Sequence, residues 1–533
     1  MSAVDPRTMP DPPGPELSPL RVFIAVLVLI AAGTGAFFAL QDAAGDRTAR
    51  AAAASREAPW FAPYVDATLT PTVAFQERAS NPARDVVLGF VVAGAQADQA
   101  CTPTWGTYAT LPDAATTYDL DRRIAQVRGQ GGDAVISFGG QANSELAVAC
   151  DRPDDLAAAY RSVVDRYSVD TVDFDVEGAA VADTAANARR AAAIKSVQDG
   201  VRAKHGHLAV WLTLPVTPQG LNPDALAVVR AMLAAKVDLA GVNIMAMDFG
   251  TPSAAKDLRK AVLSSITATR AQLPVVFGRA GVKLSAAHLW AKLGVTVMIG
   301  QNDVDAERLS VADARAVGAF AASHGLARVS AWSLNRDSQC GATFAVLRTH
   351  SNFCSGAAQK PLEFSKVLAA QLRGGARSTA AAVTAADALP EAATGTTVDD
   401  PKKSPYPIWQ PQQAYPENYK VVWHQAVYIA KWYSQGATPD APNVTPGNAP
   451  WRLIGPVLAT DRQPVLKRLP AGTHPSWSAT HVYTAGAKVL FHGLPYQAGW
   501  YTEGERPGDT GQGGGPSPWK PLFTIPGEPK AVD

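Results

Sequence analysis

The chain has 533 residues, 47% of them hydrophobic, and a formal charge of +1 from 48 basic and 47 acidic side chains. That length exceeds one ordinary domain of about 150 residues. The balanced charge, with no basic run, excludes an electrostatic nucleic-acid binder and points to an uncharged or small partner.

In chain order, residues 1–20 read as a short cytoplasmic tail. Residues 22–40 then run 19 positions without a charge, enough to cross about 30 Å of hydrocarbon. A transmembrane signal anchor is expected over 21–41, because secretory h-regions span only about 7–15 residues. The small-residue stretch ARAAAAS downstream keeps cleavage and secretion as the alternative. Arg7 and Arg21 precede the run while Arg47 and Arg50 follow it, so the flanking charges do not set the topology. Residues 42–57 read as a tether.

From 58 to 372, strand-like runs alternate with amphipathic helix-like runs, the rhythm of a parallel α/β fold. The strand candidates are FAPYVD (61–66), DVVLGFVVA (85–93), DAVISFGG (133–140), DTVDFDVE (170–177), LAVWLTL (208–214), LAGVNIMAM (239–247), VTVMIG (295–300) and ARVSAWSL (327–334). Eight strands in about 300 residues predict a (β/α)₈ TIM barrel, with an open doubly wound sheet as the alternative. Cys101, Cys150, Cys340 and Cys354 form two sequence-local couples without metal-like spacing. Outside the membrane, the favoured pairing is Cys101–Cys150 and Cys340–Cys354, with four buried thiols as the alternative. The nine histidines show no HExxH or convergent spacing, so no metal is expected.

One strand candidate is chemically odd. In DTVDFDVEG, Asp173, Asp175 and Glu177 alternate with Val172, Phe174 and Val176, so all three carboxylates share one face. Like charges at that spacing raise each other's cost of ionisation and must share protons. A purely structural strand should avoid them. Asp170 falls out of phase and reads equally well as an exposed strand-start acid.

Residues 373–404 contain almost no large apolar side chains and read as a flexible linker. The tail beyond repeats itself without a gap at an offset of 68: Trp409/Trp477, Tyr415/Tyr483, Tyr428/Tyr496, Trp432/Trp500, Tyr433/Tyr501, Gly436/Gly504, Pro439/Pro507 and Trp451/Trp519. Two small all-β modules are predicted, over 405–457 and 473–526, joined by a linker at 458–472. Strand alternation predicts one ring of each adjacent couple, Trp432/Tyr433 and Trp500/Tyr501, inside and the other exposed. Exposed aromatic platforms suit the apolar faces of pyranose rings.

The spacing D170-T-V-D173-F-D175-V-E177 resembles the DxxDxDxE signature of glycoside hydrolase family 18, the chitinases and related endo-N-acetylglucosaminidases. S137-F-G139-G140 resembles that family's SxGG motif, APWFAPYVD (58–66) resembles the opening of bacterial chitinases, MAMD (245–248) sits at the strand that usually ends in MxYD, and W332-S-L resembles the tryptophan that floors the sugar site. The resemblance covers 58–372 and implies that Glu177 is the general acid, Asp175 the acetamido partner and Asp173 the tuner of Asp175. It implies Trp332 beneath the sugar, Asp248 near the acetamido group or acid, and Met245 and Gln301 lining the pocket. Met247 departs from the pattern, standing where many members carry a tyrosine. The tail resembles chitin-binding modules of families 5 and 12 in AKWYSQGATP and AGWYTEGERP, which implies that Trp432, Tyr433, Trp500 and Tyr501 stack on sugars. Together these resemblances imply an extracellular chitinase acting on chitin or a related N-acetylglucosamine polymer, with no cofactor and no obligate protein partner. An endo-N-acetylglucosaminidase, a lysozyme-like hydrolase and a non-catalytic wall-binding protein are the alternatives.

Overall fold

The computed structural model describes residues 59–204, 206–342, 350–376, 398–440, 448–509 and 517–529. The expected anchor at 21–41 lies outside them. Among the described residues, no helix is long and apolar enough to cross a membrane.

The region expected as a barrel, 58–372, closes into one over its described residues. Its strands are β1 (Trp60–Phe61), β2 (Tyr64–Asp66), β3 (Val86–Ala93), β4 (Ala134–Gly139), β5 (Thr171–Asp175), β6 (Ala209–Pro215), β7 (Leu239–Met245), β8 (Leu293–Met298) and β9 (Arg328–Trp332). Neighbours run parallel all the way round: β1 pairs with β9, and β2, the continuation of the same stave, pairs with β3. Eight staves therefore form a ring, and the doubly wound alternative falls away. A short antiparallel pair, Pro103–Trp105 and Ala109–Thr110, is added to β3 at its C-terminal end.

Helices cover the outside because their apolar positions recur at helical spacing. Leu120, Ile124 and Val127 are buried in the Leu120–Gly129 helix, and Leu156, Tyr160, Val163, Val164 and Tyr167 in the Pro153–Tyr167 helix. The outward strand residues meet them: Phe138 and Phe174 stack at 4.9 Å, with Tyr160 edge-on to both. Side chains that alternate with these point into the barrel, and many are polar, among them Ser137, Asp173, Asp175, Thr213, Asn243 and Thr296. Both disulfides favoured from the sequence are present, Cys101–Cys150 and Cys340–Cys354.

The barrel does not end at Leu372. Gly374 N–H donates to Pro59 O at 2.9 Å, Ala376 N–H to an Asp85 carboxylate oxygen at 2.7 Å, and Thr171 Oγ1 to Ala376 O at 2.9 Å. Residues read as the start of a linker thus plug the base of the barrel, where Ala376 packs with Trp60, Val87, Val135 and Trp211. Composition hid this, because the plug is held by backbone groups. Asp85 is 1% exposed and also accepts Asp133 N–H at 2.8 Å. Asp85→Ala leaves two buried N–H groups unpaired, and a loss of about 2–4 kcal/mol in urea unfolding is expected. An unchanged midpoint would remove the plug from the stability of the fold.

The tail holds two small all-β units of the same design. In the first, Lys420–Trp423, Ala426–Ala430 and Trp451–Pro456 form an antiparallel sheet beside the pair Ala414–Tyr415 and Ser434–Gln435. In the second, Lys488–Phe491, Leu494–Ala498 and Trp519–Pro521 lie beside Val482–Tyr483 and Thr502–Glu503. The repeat extends to single hydrogen bonds. Trp451 Nε1 donates to Ala437 O and Trp519 Nε1 to Glu505 O, both at 2.8 Å; Gln410 N–H meets Tyr415 Oη and Ser478 N–H meets Tyr483 Oη, both at 2.7 Å. The rings that recur in these bonds are the core of a unit too small for aliphatic packing alone.

Candidate active site

The acid strand is β5, and its parallel register sets Ser137 beside Asp173 and Thr213 beside Asp175. Asp173 is fully buried and accepts four hydrogen bonds. Tyr64 Oη (2.8 Å) and Ser137 Oγ (2.7 Å) donate to Oδ2, and Thr213 Oγ1 (2.7 Å) and Arg328 Nη1 (2.6 Å) to Oδ1. Arg328 is also fully buried, 5.5–5.6 Å from the ring centres of Trp60, Tyr64 and Trp211. Burial works against its charge, and Asp173 and Tyr64 outweigh burial, so the guanidinium is held above its ordinary pKa. The deepest acid is therefore one half of a salt bridge with both lone-pair sets occupied.

Asp175 and Glu177 lie above it at the C-terminal mouth and share a side-chain hydrogen bond. Burial, then the charges of Glu177 and Asp173, pushes Asp175 well above the usual carboxylate range. Burial also raises Glu177, to about 7, against the opposing hydrogen bond from Asp175, and Asp303 and Asp248 add to the rise. The pair therefore holds a proton up to near neutrality. The other Asp175 oxygen, Oδ1, is buried without a hydrogen-bond partner. Such an acceptor is costly to leave unpaired and is aimed where a bound N–H donor would satisfy it. Asp170, by contrast, sits at the opposite end of β5, beside Thr171 Oγ1 at 3.2 Å.

Three residues of the S137-F-G139-G140 stretch have separate reasons. Ser137 serves Asp173. Gly139 has φ +96°, and a Cβ there would lie 2.1 Å from Asp175 O; Gly140 has φ +83°, and its Cβ would lie 2.8 Å from the Phe90 ring. The two glycines let the acid strand and an aromatic ring approach the same backbone. Gly139→Ala combines left-handed strain with displacement of Asp175, and a loss of about 2–5 kcal/mol by denaturant titration is expected. A fully stable, fully active variant would show that the close approach is dispensable.

Phe90 stacks with Trp332 at 5.7 Å, 25° between planes, and Tyr64 lies 6.1 Å from Trp332. An aromatic surface thus borders the acids. On the other side, Asp248 accepts Val304 N–H at 2.9 Å, and buried Glu307 accepts Phe249 and Gly250 N–H at 3.0 and 2.8 Å, knitting the loops after β7 and β8. Burial raises the Asp248 pKa. Gln301 is 1% exposed: its amide nitrogen faces the carbonyls of Asn302, Val304, Asp305 and Glu307, and its oxygen accepts from Arg308. Its side chain is spent inside this loop, so it does not line the pocket as expected from the sequence. Met245 and Met247 are half-buried at the end of β7.

Sequence reading missed Arg328, Tyr64, Thr213 and Phe90. Arg328 carried a signal, since a charge in phase with Ser330 and Trp332 on an otherwise apolar strand needs an acid opposite. Phe90 and Tyr64 carried none, being ordinary strand aromatics.

In the tail, both members of each aromatic couple are exposed: Trp432 by 43% and Tyr433 by 63%, Trp500 by 47% and Tyr501 by 63%. The expected in-and-out division fails because the couples sit in bends between strands, where alternation does not apply.

A scan against protein-family models finds no match. Over 282 residues the chain is 36% identical to the probable bifunctional chitinase/lysozyme of Escherichia coli (strain K12), an alignment covering 52% of this chain and 31% of that protein. It is 34% identical over 285 residues to endochitinase 11 of Metarhizium anisopliae, covering 52% of each. The chain thus spans from about a third to about half the length of these curated relatives. Among solved structures, the catalytic domain of a hyperthermophilic chitinase from Pyrococcus furiosus is 25% identical with a TM-score of 0.50, covering 58% of this chain and 93% of that one. In fold, the eight-stave body is similar to a chitinase catalytic domain.

Proposed function

We propose that the chain is a glycoside hydrolase of family 18, a chitinase that cuts β-1,4 bonds between N-acetylglucosamine units with retention by a substrate-assisted route. The observation that carries this reading is the state of the three acids. Asp173 is consumed by Arg328 and three hydroxyls, and Asp175 shares a hydrogen bond with Glu177, so the strand offers one proton and no free carboxylate nucleophile. A substrate that brings its own nucleophile meets that need: its N-acetyl carbonyl attacks the anomeric carbon while Glu177 protonates the leaving oxygen. Asp175 Oδ1 accepts the acetamido N–H, fixing the carbonyl in line and offsetting the positive charge of the cyclised intermediate. Water then opens that ring with Glu177 as base. Trp332 and Phe90 give the sugar an apolar face, and Asp248 with Gln301 holds the opposite wall.

The similarity to proteins named as chitinases supports the same substrate. The tail units, with paired exposed rings at Trp432/Tyr433 and Trp500/Tyr501, are read as chitin-binding modules akin to families 5 and 12. They hold an insoluble polymer near the site, which raises local concentration without altering the chemistry. Two disulfides support an oxidising compartment, and residues 21–41 are read as an anchor, or a cleaved leader, that delivers the barrel outside the cell.

The E. coli relative's name pairs chitinase with lysozyme, so one comparison tests the substrate. Products from N-acetylglucosamine oligomers and from peptidoglycan should be analysed side by side. Cleavage of the oligomers with initial β-anomer products is expected; α-anomers would exclude retention, and cleavage of peptidoglycan alone would replace chitin as the substrate.

A further inference from the structure

Compared at their offset of 68, the two tail units differ at residues through which the first touches the barrel. The first unit rests on the Leu120–Gly129 helix of the barrel. Arg122, 5% exposed, forks onto Asp461, with Nη1 to Oδ2 at 3.1 Å and Nη2 to Oδ1 at 3.2 Å, and Nη1 also reaches Pro456 O at 3.0 Å. Asp119, 3% exposed, accepts from Tyr406 Oη at 2.7 Å, from Lys420 Nζ at 2.5 Å and from Arg122 Nε at 3.3 Å. Below this cluster Gln76 Nε2 donates to Leu453 O at 3.1 Å. At Gly455 the backbones nearly touch, and a Cβ there would lie 2.3 Å from Arg122 O.

Shifted by 68, the docking residues Tyr406, Gly455 and Asp461 correspond to His474, Phe523 and Pro529. The second unit therefore lacks the hydroxyl, the carboxylate and the glycine, while Trp477, Tyr483, Tyr496, Trp519 and the exposed couple match the first unit's rings. Buried Asp119 and Arg122, paired with partly buried Asp461 and Lys420, are unlike a transient encounter: a bidentate arginine fork specifies one orientation.

We propose that the first module is a fixed part of the catalytic body, locked onto the Leu120–Gly129 helix by the Asp119–Arg122–Asp461 cluster. It holds Trp432 and Tyr433 at a constant place relative to Glu177, and the two repeats divide the work, the first positioning the polymer and the second capturing it. The positioning half rests on the polymer-hydrolase reading; the lock does not.

The lock is tested in the full chain with a specific protease site placed within 377–397. After cleavage, the barrel and tail should co-elute from a sizing column at about 1 μM and about 0.15 M salt. Asp461→Ala and Gly455→Phe should release the tail; Phe at the matching position of the second unit makes the latter compatible with the module's own fold. Separation of the wild-type pieces, or co-elution unchanged in Gly455→Phe, overturns the lock. In the uncut chain, Gly455→Phe should lower turnover on solid polymer several-fold, with binding to it and hydrolysis of a soluble trimer unchanged. Unchanged polymer turnover overturns the positioning role. A wild-type chain that cleaves neither substrate overturns the hydrolase reading while the elution result stands.

Discussion

Glu177→Gln is expected to lower hydrolysis of soluble N-acetylglucosamine oligomers by roughly 10²–10⁴-fold, the usual contribution of a positioned general acid, with binding of the same oligomers retained. In the proposed reaction the proton held by the Asp175–Glu177 pair is delivered by Glu177, the member nearer the mouth, since Asp173 accepts four hydrogen bonds and Asp175 is bound to Glu177 itself. The wild-type rate should fall on the alkaline side as pH passes about 7, the value to which burial raises Glu177. The same residue marks stability with the opposite preference. Its folded pKa of about 7 exceeds its ordinary 4.5, so the folded state binds the proton more tightly, and wild-type stability declines as pH rises from about 4.5 through 7. Glutamine cannot ionise. The variant should match wild type in acid and exceed it above pH 7 by about 1–3 kcal/mol. A variant that hydrolyses at the wild-type rate would dismiss Glu177 as the donor.

How much of this was legible depends on whether the physics was local. Period-two spacing placed Asp173, Asp175 and Glu177 on one face, and strand count with helix rhythm gave the barrel, because both follow from neighbours in sequence. The partners that make three acids tolerable are remote: Arg328 is 155 positions from Asp173, and Tyr64 is 109. No spacing rule joins them. Gly374–Ala376 misled for the same reason, since small residues bound through their backbones look like a linker. Trp432 and Tyr433 misled in another way, because alternation was applied to residues that lie in a bend. The role of Asp461 depends on Arg122, 339 positions away, which no local pattern joins to it.

Arg328→Gln should be the most damaging change in the barrel, costing about 3–5 kcal/mol, because it leaves the Asp173 carboxylate buried without its counter-charge. Tyr64, Ser137 and Thr213 still donate to that carboxylate, but neutral hydroxyls do not balance a full charge in this setting. A loss below 1 kcal/mol in urea titration would mean that the pair is not the keystone of the interior. The double variant Asp173→Leu/Arg328→Met separates stability from chemistry. Removing both charges together often costs nothing when the replacement packs well, so this variant should be more stable than Arg328→Gln. Its chemistry should still change, because Asp173 raises the Asp175 pKa more than Arg328 lowers it. With both gone, the Asp175–Glu177 pair should release its proton more readily, and the alkaline limb of the rate should move to lower pH. A stable double variant with the wild-type rate and limb would assign Asp173 and Arg328 to folding alone. A stable one with a shifted limb would mean that the deepest acid acts by keeping a proton on the two above it.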